Sequence, residues 1–288
     1  MSDNTQLSNT KNFNVSNITL SKPETSSIPN SQPPITFQRI KIGVKNPDGT
    51  YGDLIFKTEF LFSFGVQENK DMKTGEVNGY SMPLCMWNKN GASEDEKRFT
   101  DVHDSIVEHL KKHLVKNKED VGLYDLEMSD LKKFNPLYWK RELGKILKDK
   151  GPTLYAKLIV SKKKGNQIMT GFYNAETDEK LNPLDLKGKY CHVEAALKYE
   201  SIFVGSKPSL QIKMVESLVK VLDSSNRRLL SRPTADRKVT VASNDDVQDG
   251  LGGDSESDDD SDEDSDGSLE EEVAVKKKTK RRVVKKRG

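Results

Sequence analysis

Two runs of alternating residues, joined by a turn, constrain the fold of this chain more than any other feature. In the first run Cys191, Val193, Ala195, Leu197 and Tyr199 share one parity, and Tyr190, His192, Glu194, Ala196 and Lys198 share the other. Gly205-Ser206-Lys207-Pro208 punctuates the pair, after which Leu210, Ile212 and Met214 alternate with Gln211, Lys213 and Val215. Successive side chains of an extended backbone point to opposite faces, so a period of two predicts strands buried on one side only. Their outward face carries Tyr190, His192, Lys198 and Lys213, an aromatic and cationic mixture where function is to be sought.

The rest of the ordered chain repeats this pattern. Ile40, Ile42 and Val44 alternate with Arg39, Lys41 and Lys45, and Asn46-Pro47-Asp48-Gly49 follows as a turn. Within Asp53–Gln67 the row Phe56, Phe60, Phe62, Phe64 and Val66 shares one parity and is assigned to the core, because an aromatic stripe left in water would form a large exposed patch. Tyr80–Trp87 and Thr153–Ser161 are further strands, and Lys162-Lys163-Lys164-Gly165-Asn166 is a basic hairpin tip leading into Gln167–Tyr173. One amphipathic helix interrupts them. Ser93 and Glu96 have the spacing of a capping box, and Phe99, Val102, Ile106, Leu110 and Leu114 recur every three or four residues over Lys97–Lys116.

The fold class is therefore mainly β with a helical insertion at about 91–151 (α+β), and an OB-fold-like barrel core is the expected architecture, with a β-sandwich as the alternative. One domain spans 35–222. Residues 1–34 are rich in Ser, Thr, Asn and Pro and are read as a disordered tail, as are residues 223–288. No run approaches the roughly 18 apolar residues of a membrane span, and the polar N-terminus does not resemble a signal peptide, so a soluble intracellular protein is expected.

Charge is segregated. Residues 243–272 hold 15 acids and no bases, and residues 273–288 hold 9 bases and no acids. That leaves 38 bases against 30 acids in residues 1–242, a basic body followed by its own polyanion. Ser255, Ser257 and Ser261 each have an acid three residues on, the pattern of acidophilic-kinase phosphorylation sites. Lys276, Lys277, Lys278, Lys280, Arg281 and Arg282 form a cluster like a nuclear-import signal, which equally suits nucleic-acid contact.

Catalytic chemistry is not evident. There is no phosphate loop, dinucleotide fingerprint or nucleophile elbow, so no enzyme, no catalytic residue and no cofactor is expected. His109 and His113 have a zinc-like spacing, but Leu110 stands where a metalloprotease has its glutamate, and no metal is assigned. Cys85 and Cys191 form no C-x-x-C pattern and are read as small core residues. What the chain does offer is bases interleaved with aromatics on strand faces opposite the core. Candidate nucleic-acid contacts are Phe37, Arg39, Lys41, Tyr155, Lys157, Lys162, Lys163, Lys164, Tyr190, Lys198 and Lys213. Cations track phosphates while rings stack on unpaired bases, which duplex DNA would hide. The plainer reading of the same residues is tyrosines packed under loops and lysines that keep the protein soluble.

Several stretches carry a resemblance: FSFGVQEN at 62–69, NGYSMPL at 78–84, DLKKFNPLYWK at 130–140, GPTLYAKLI at 151–159 and ESIFVGSKPSLQIK at 200–213. Over about Ile35–Leu222 the chain resembles a family of largely uncharacterised proteins of iridoviruses and related nucleocytoplasmic large DNA viruses. That family is similar in turn to viral single-stranded-DNA-binding proteins, including the asfarvirus one. The resemblance implies an OB-fold and a role in replication or repair; taken with the absence of catalytic motifs, a non-enzymatic protein with single-stranded DNA, or else RNA, as its partner is expected. It further implies residence in the infected cell, in the nucleus, a cytoplasmic viral factory or the virion, with no membrane partner. On this reading the acidic tail modulates binding or recruits replication or virion proteins. The competing reading is a virion or chaperone-like interaction protein whose acidic tail binds basic proteins.

Overall fold

A computed structural model describes residues 4–28, 35–71, 74–147, 149–205 and 207–222, with backbone alone at 28, 35 and 162. Five strands close into a ring: β1 (Leu61–Ser63), β2 (Val77–Cys85), β3 (Pro152–Leu158), β4 (Cys191–Val204) and β5 (Pro208–Val221). Around the ring they run β1-β2-β3-β5-β4 and back to β1. Only β3 and β5 are parallel; the other four pairings are antiparallel. The protein is thus mainly β, a closed five-strand barrel with one long helix. Leu61, Met82, Leu84, Leu154, Ala156, Val193, Leu197, Ile212 and Met214 are all buried and supply much of the interior. Cys191 joins them, and burial pushes its thiol up to about 11.

β4 is the strand on which the barrel hangs. One of its edges pairs with β5 along nearly its whole length. The opposite edge is shared in succession by strand Ile35–Lys45 at residues 201–204, strand Ile55–Lys57 at 196–198, and β1 at 191–193. Register shifts in the β4–β5 ladder fall between Ala196 and Leu197 and between Tyr199 and Ser201, adding the local bend that a closing strand needs. Thr58 holds the junction between two of these partners: its N–H donates to the Ala195 carbonyl (2.9 Å), and its Oγ1 accepts from the Ala195 N–H (3.0 Å).

This break at Thr58 corrects the assignment of the phenylalanine row to the core. Phe56 and Val66 are buried, but Leu61 and Ser63 take the inward places of β1, leaving Phe62 half-buried and Phe60 and Phe64 45% and 43% exposed. An alternating sequence keeps its parity only while the strand is continuous. Cys85 likewise departs from the core reading, since it is half-buried on the outward face of β2.

The N-terminal segment is also more structured than its composition suggests. Leu7–Ser8 pairs in parallel with Ile55–Lys57, and Ile18–Leu20 and Glu24–Ile28 pair antiparallel with Ile35–Lys45. Phe13 meets Phe56 edge-on at 4.9 Å, and Ile18 is buried. A disordered 1–34 is therefore corrected for residues 4–28. Single apolar residues that could not build a core of their own dock one at a time on a barrel built elsewhere, while their backbone completes open strand edges. The serines and basic cluster between 255 and 282 lie outside the described residues.

Helix α1 (Glu94–Lys116) begins with the capping box foreseen from Ser93 and Glu96, both of its hydrogen bonds being made. Phe99, His103, Ile106, Val107, Leu110 and Leu114 are buried on its inner face. Glu96, Thr100 and His103 are its buried polar residues, and His103 is the most deeply buried of them. Asn135 Nδ2 donates to Asp104 (3.0 Å), which leaves Asn135 Oδ1 to accept from the Leu137 N–H (3.0 Å) and from His103 Nε2 (2.9 Å). His103 Nδ1 must then accept the Tyr199 hydroxyl proton at 2.8 Å. A neutral imidazole so bonded ties helix, barrel and the 134–137 segment together. Burial lowers the pKa of His103 and raises that of Tyr199.

The unfolded chain therefore takes up a proton near the ordinary histidine value of 6.5 that the folded chain resists. Stability from this site is complete above that value and falls as pH drops below it, levelling off beneath the lowered folded pKa. Tyr199→Phe, which strands His103 Nδ1, is expected to lower unfolding free energy by about 1–3 kcal/mol at neutral pH. Urea titrations of both proteins at several pH values between 5 and 8 check both statements, and equal midpoints at pH 7 would contradict the second.

Candidate nucleic-acid interface

Because the barrel is closed and its strands are in register, one can step around it residue by residue. Cys191, Ser63, Leu84, Leu154 and Leu137 stand opposite one another on β4, β1, β2, β3 and strand Leu137–Trp139, and all five are buried. The next position on each strand must face outward. That row reads His192, Phe62, Cys85, Thr153 and Tyr138. Beside it Tyr155 stands opposite Pro83, and Tyr190 and Phe64 pack against Phe62 at centroid distances of 5.8 and 5.2 Å. The outer wall thus carries two groups of rings, Tyr138 with Tyr155 on one side and Phe62, Phe64 and Tyr190 on the other. Between them lie Cys85 and Thr153, both half-buried, with Pro83 buried beside them. Pro83, which has no N–H to give, falls where the edge of β2 changes partner from β1 to strand Gln67–Lys70.

Tyr138 and Tyr155 are 55% and 49% exposed. Partial burial raises the pKa of the Tyr155 phenol, with Tyr138 alongside adding to the shift. Bases flank them at both ends of β3. Lys140 and Arg141 follow Trp139, whose indole meets Trp87 edge-on at 5.5 Å, and Lys163 and Lys164 are exposed on the tip beyond Leu158. The side chain of Lys162 lies outside the described residues.

The remaining candidates divide into three placements. Lys157, Lys213 and Lys198 are in register across β3, β5 and β4, forming a row of ammonium groups. Phe37, Arg39 and Lys41 alternate on strand Ile35–Lys45, where Phe37 packs on Phe203 at 5.0 Å and the Arg39 guanidinium lies 5.4 Å from the Phe37 centroid. The two placements meet at Ser201, which is opposite both Lys41 and Gln211, and Gln211 Oε1 accepts from Lys157 Nζ (3.2 Å). Tyr190 stands apart from these bases, in the second ring group. Gln38 Oε1, Arg39 Nε and Ser201 Oγ are buried without a partner where strand Ile35–Lys45 meets β4, polar atoms that a ligand or water could satisfy.

Most of the basic row is already paired with acids. Lys41 bridges to Glu24, Lys198 to Asp53 and Lys213 to Glu200, each at 2.9 Å. Only the Lys41–Glu24 pair is open to solvent and so contributes little, about 0–1 kcal/mol, whereas Lys198–Asp53 and Lys213–Glu200 are largely shielded. Among the described residues no group of three or more His, Cys, Asp or Glu side chains converges as metal donors, and no helix is long and apolar enough to cross a membrane. The residues that sequence reasoning missed are Tyr138, Phe62 and Phe64. Leu61 and Ile55, of opposite parity to the phenylalanines, were the available sign that the row does not stay inside.

Comparison with known proteins gives this surface a lineage. A family described as "Protein of unknown function (DUF2738)" matches residues 11–265, most of the chain. The chain belongs to that family. The match begins within the N-terminal segment and runs past the barrel into the acidic stretch, beyond the 35–222 of the sequence resemblance. The chain is similar to the "Early 31 kDa protein" of Frog virus 3 (isolate Goorha), 32% identical over 179 residues, covering 62% of this chain and 67% of that one. It is also similar to "Uncharacterized protein 007R" of Invertebrate iridescent virus 3, 30% identical over 169 residues, 58% of this chain but only 36% of that one. The family is thus a viral one.

Gly65 sets the position of the second ring group. Its φ is +87°, and a Cβ there would lie 2.2 Å from the Leu186 carbonyl oxygen and 2.6 Å from that of Lys189. The close approach is fastened by the Val66 N–H donating to Leu186 (3.2 Å), so Phe64 and the segment leading into Tyr190 are fixed together. Gly65→Ala is expected to cost about 1–3 kcal/mol from the left-handed backbone alone. Chemical denaturation measures it, and an unchanged midpoint would show that the two segments do not need this contact.

Proposed function

We propose that the protein is a non-enzymatic single-strand nucleic-acid-binding protein of a large DNA virus, acting on single-stranded DNA in replication or repair, with an OB-fold barrel. The ring order β1-β2-β3-β5-β4, with the one parallel pair at β3 and β5, supports the OB reading, a five-stranded Greek-key barrel. The long helix lies between β2 and β3 and makes this a divergent version. OB barrels take their ligands on the face of strands 2 and 3 and on the loops joining strands 1–2 and 4–5. The observation that carries the proposal is on that face: two half-exposed tyrosines, Tyr138 and Tyr155, between basic ends at Lys140–Arg141 and Lys163–Lys164. Stacking each base contributes about 1–3 kcal/mol, and the cations supply the salt-dependent remainder.

The acidic stretch would regulate this surface. The described chain ends at Leu222, whose N–H donates to the Tyr190 carbonyl (2.9 Å), and the 15 acids of residues 243–272 follow on the same chain after residues 223–242. A tethered polyanion competes at an effective concentration of the order of millimolar. Phosphorylation at Ser255, Ser257 and Ser261 would deepen the competition, and the bases of residues 273–288 would relieve it.

Fluorescence anisotropy with single-stranded and duplex oligonucleotides over a salt series tests the proposal. Single strands should bind more tightly, with log affinity falling by about 0.7 per log unit of salt for each phosphate neutralised. Tyr155→Ala should weaken binding by about 1–3 kcal/mol with the thermal midpoint nearly unchanged. Equal affinity for duplex, or no salt dependence, contradicts it.

Truncation of residues 243–288 should strengthen binding at low salt, and truncation of residues 273–288 alone should weaken it. Loss of all activity with the tail would favour the interaction-protein reading instead.

A further inference from the structure

We infer that Phe62, Phe64 and Tyr190 form a second base-stacking subsite for the same nucleic-acid strand, an inference that rests on the proposed function. The trio is built rather than incidental. Phe62 lies 5.2 Å from Phe64 and 5.8 Å from Tyr190, Phe64 lies 6.0 Å from Tyr190, and His192 backs Phe62 at 6.2 Å. Mutual edge and tilted packing holds each ring still while Phe64 and Tyr190 remain 43% and 52% exposed. Holding rings rigid before the ligand arrives removes much of the ordering cost of binding.

Position relates the trio to the first subsite. Phe62 and Tyr138 belong to one register row, with Cys85 and Thr153 between them. Two strand spacings separate β1 from β3, about 10 Å. The row itself, His192, Phe62, Cys85, Thr153 and Tyr138, contains no leucine, isoleucine, valine or methionine. A helix or hydrophobic peptide would be met by aliphatic side chains, whereas a single strand needs ring faces above a shallow floor. Lys189, exposed beside Tyr190 and forming no ion pair among the described residues, supplies a cation for a phosphate.

The test uses the full chain and an oligothymidylate of about fifteen nucleotides, near the upper site size of one OB barrel. Tyr190→Ala should weaken binding roughly 5- to 150-fold, the range that stacking one base spans, while Tyr190→Phe keeps the ring and binds as the parent does. The double variant Tyr155→Ala/Tyr190→Ala should lose the product of the two single losses, because separate subsites on one strand act additively. Thermal midpoints of the Tyr190 variants should match the parent, since the backbone carbonyl that meets Leu222 is untouched. If Tyr155→Ala weakens binding and Tyr190→Ala does not, the second subsite is refuted and the proposed function stands. If the parent protein itself binds no single strand, both fall.

Discussion

Everything in this barrel depends on β4 having partners along both edges for its whole length. β5 covers one edge, and three short strands share the other in turn, so the residues between them must turn corners without leaving β4 unpaired. The reciprocal bonds of Thr58 with Ala195 make one such corner. The shift beside Tyr199 makes another, and there the hydroxyl of Tyr199 reaches His103 and fastens the helix. A buried polar contact of this kind is worth keeping only if every member is satisfied. Here the chain of Tyr199, His103, Asn135 and Asp104 leaves each ring nitrogen of His103 bonded.

The same registry that fills the inside determines what the outside can be. A buried row of Cys191, Ser63, Leu84, Leu154 and Leu137 forces its neighbours outward, and those neighbours are largely rings and small groups. Lysines on the adjoining face are mostly answered by carboxylates on neighbouring strands. Such a surface holds its charges in order without a strong net field of its own, and it leaves contact area to the rings. The bases on the tip, Lys163 and Lys164, are exposed and form no ion pair among the described residues.

The strands that could be read from the sequence are those whose two faces differ and whose course is unbroken. β4 and β5 alternate over much of their length because one face of each lies in the core, and α1 announces itself by its cap and its three-and-four spacing. Tyr155 and Lys157 were placed together on an outward face by the same logic. The phenylalanine row misled because parity is lost where Thr58 turns the chain, an event set by a hydrogen bond to Ala195, 137 residues away. The N-terminal strands were missed because Phe13 and Ile18 are buried singly, against surfaces that no local window contains. His103 carried no signal at all, being one polar residue on an apolar helix face whose partners come from Tyr199 and Asn135. Sequence periodicity reports local burial; closure of the ring and convergence of its outer rows are non-local.

The place of β5 in the ring also bears on how the chain comes to be folded. It is the last described strand in sequence, yet it lies between β3 and β4, parallel to one and antiparallel to the other. During synthesis the barrel cannot close until residue 221 has emerged, and until then β3 and β4 each present an open edge. Non-local pairings of this sort are slow to form, and open edges invite pairing with other chains. The run of acids follows later in the order of translation, after residues 223–242, so the chain gains its strongly charged stretch only once the last strand of the barrel has been made.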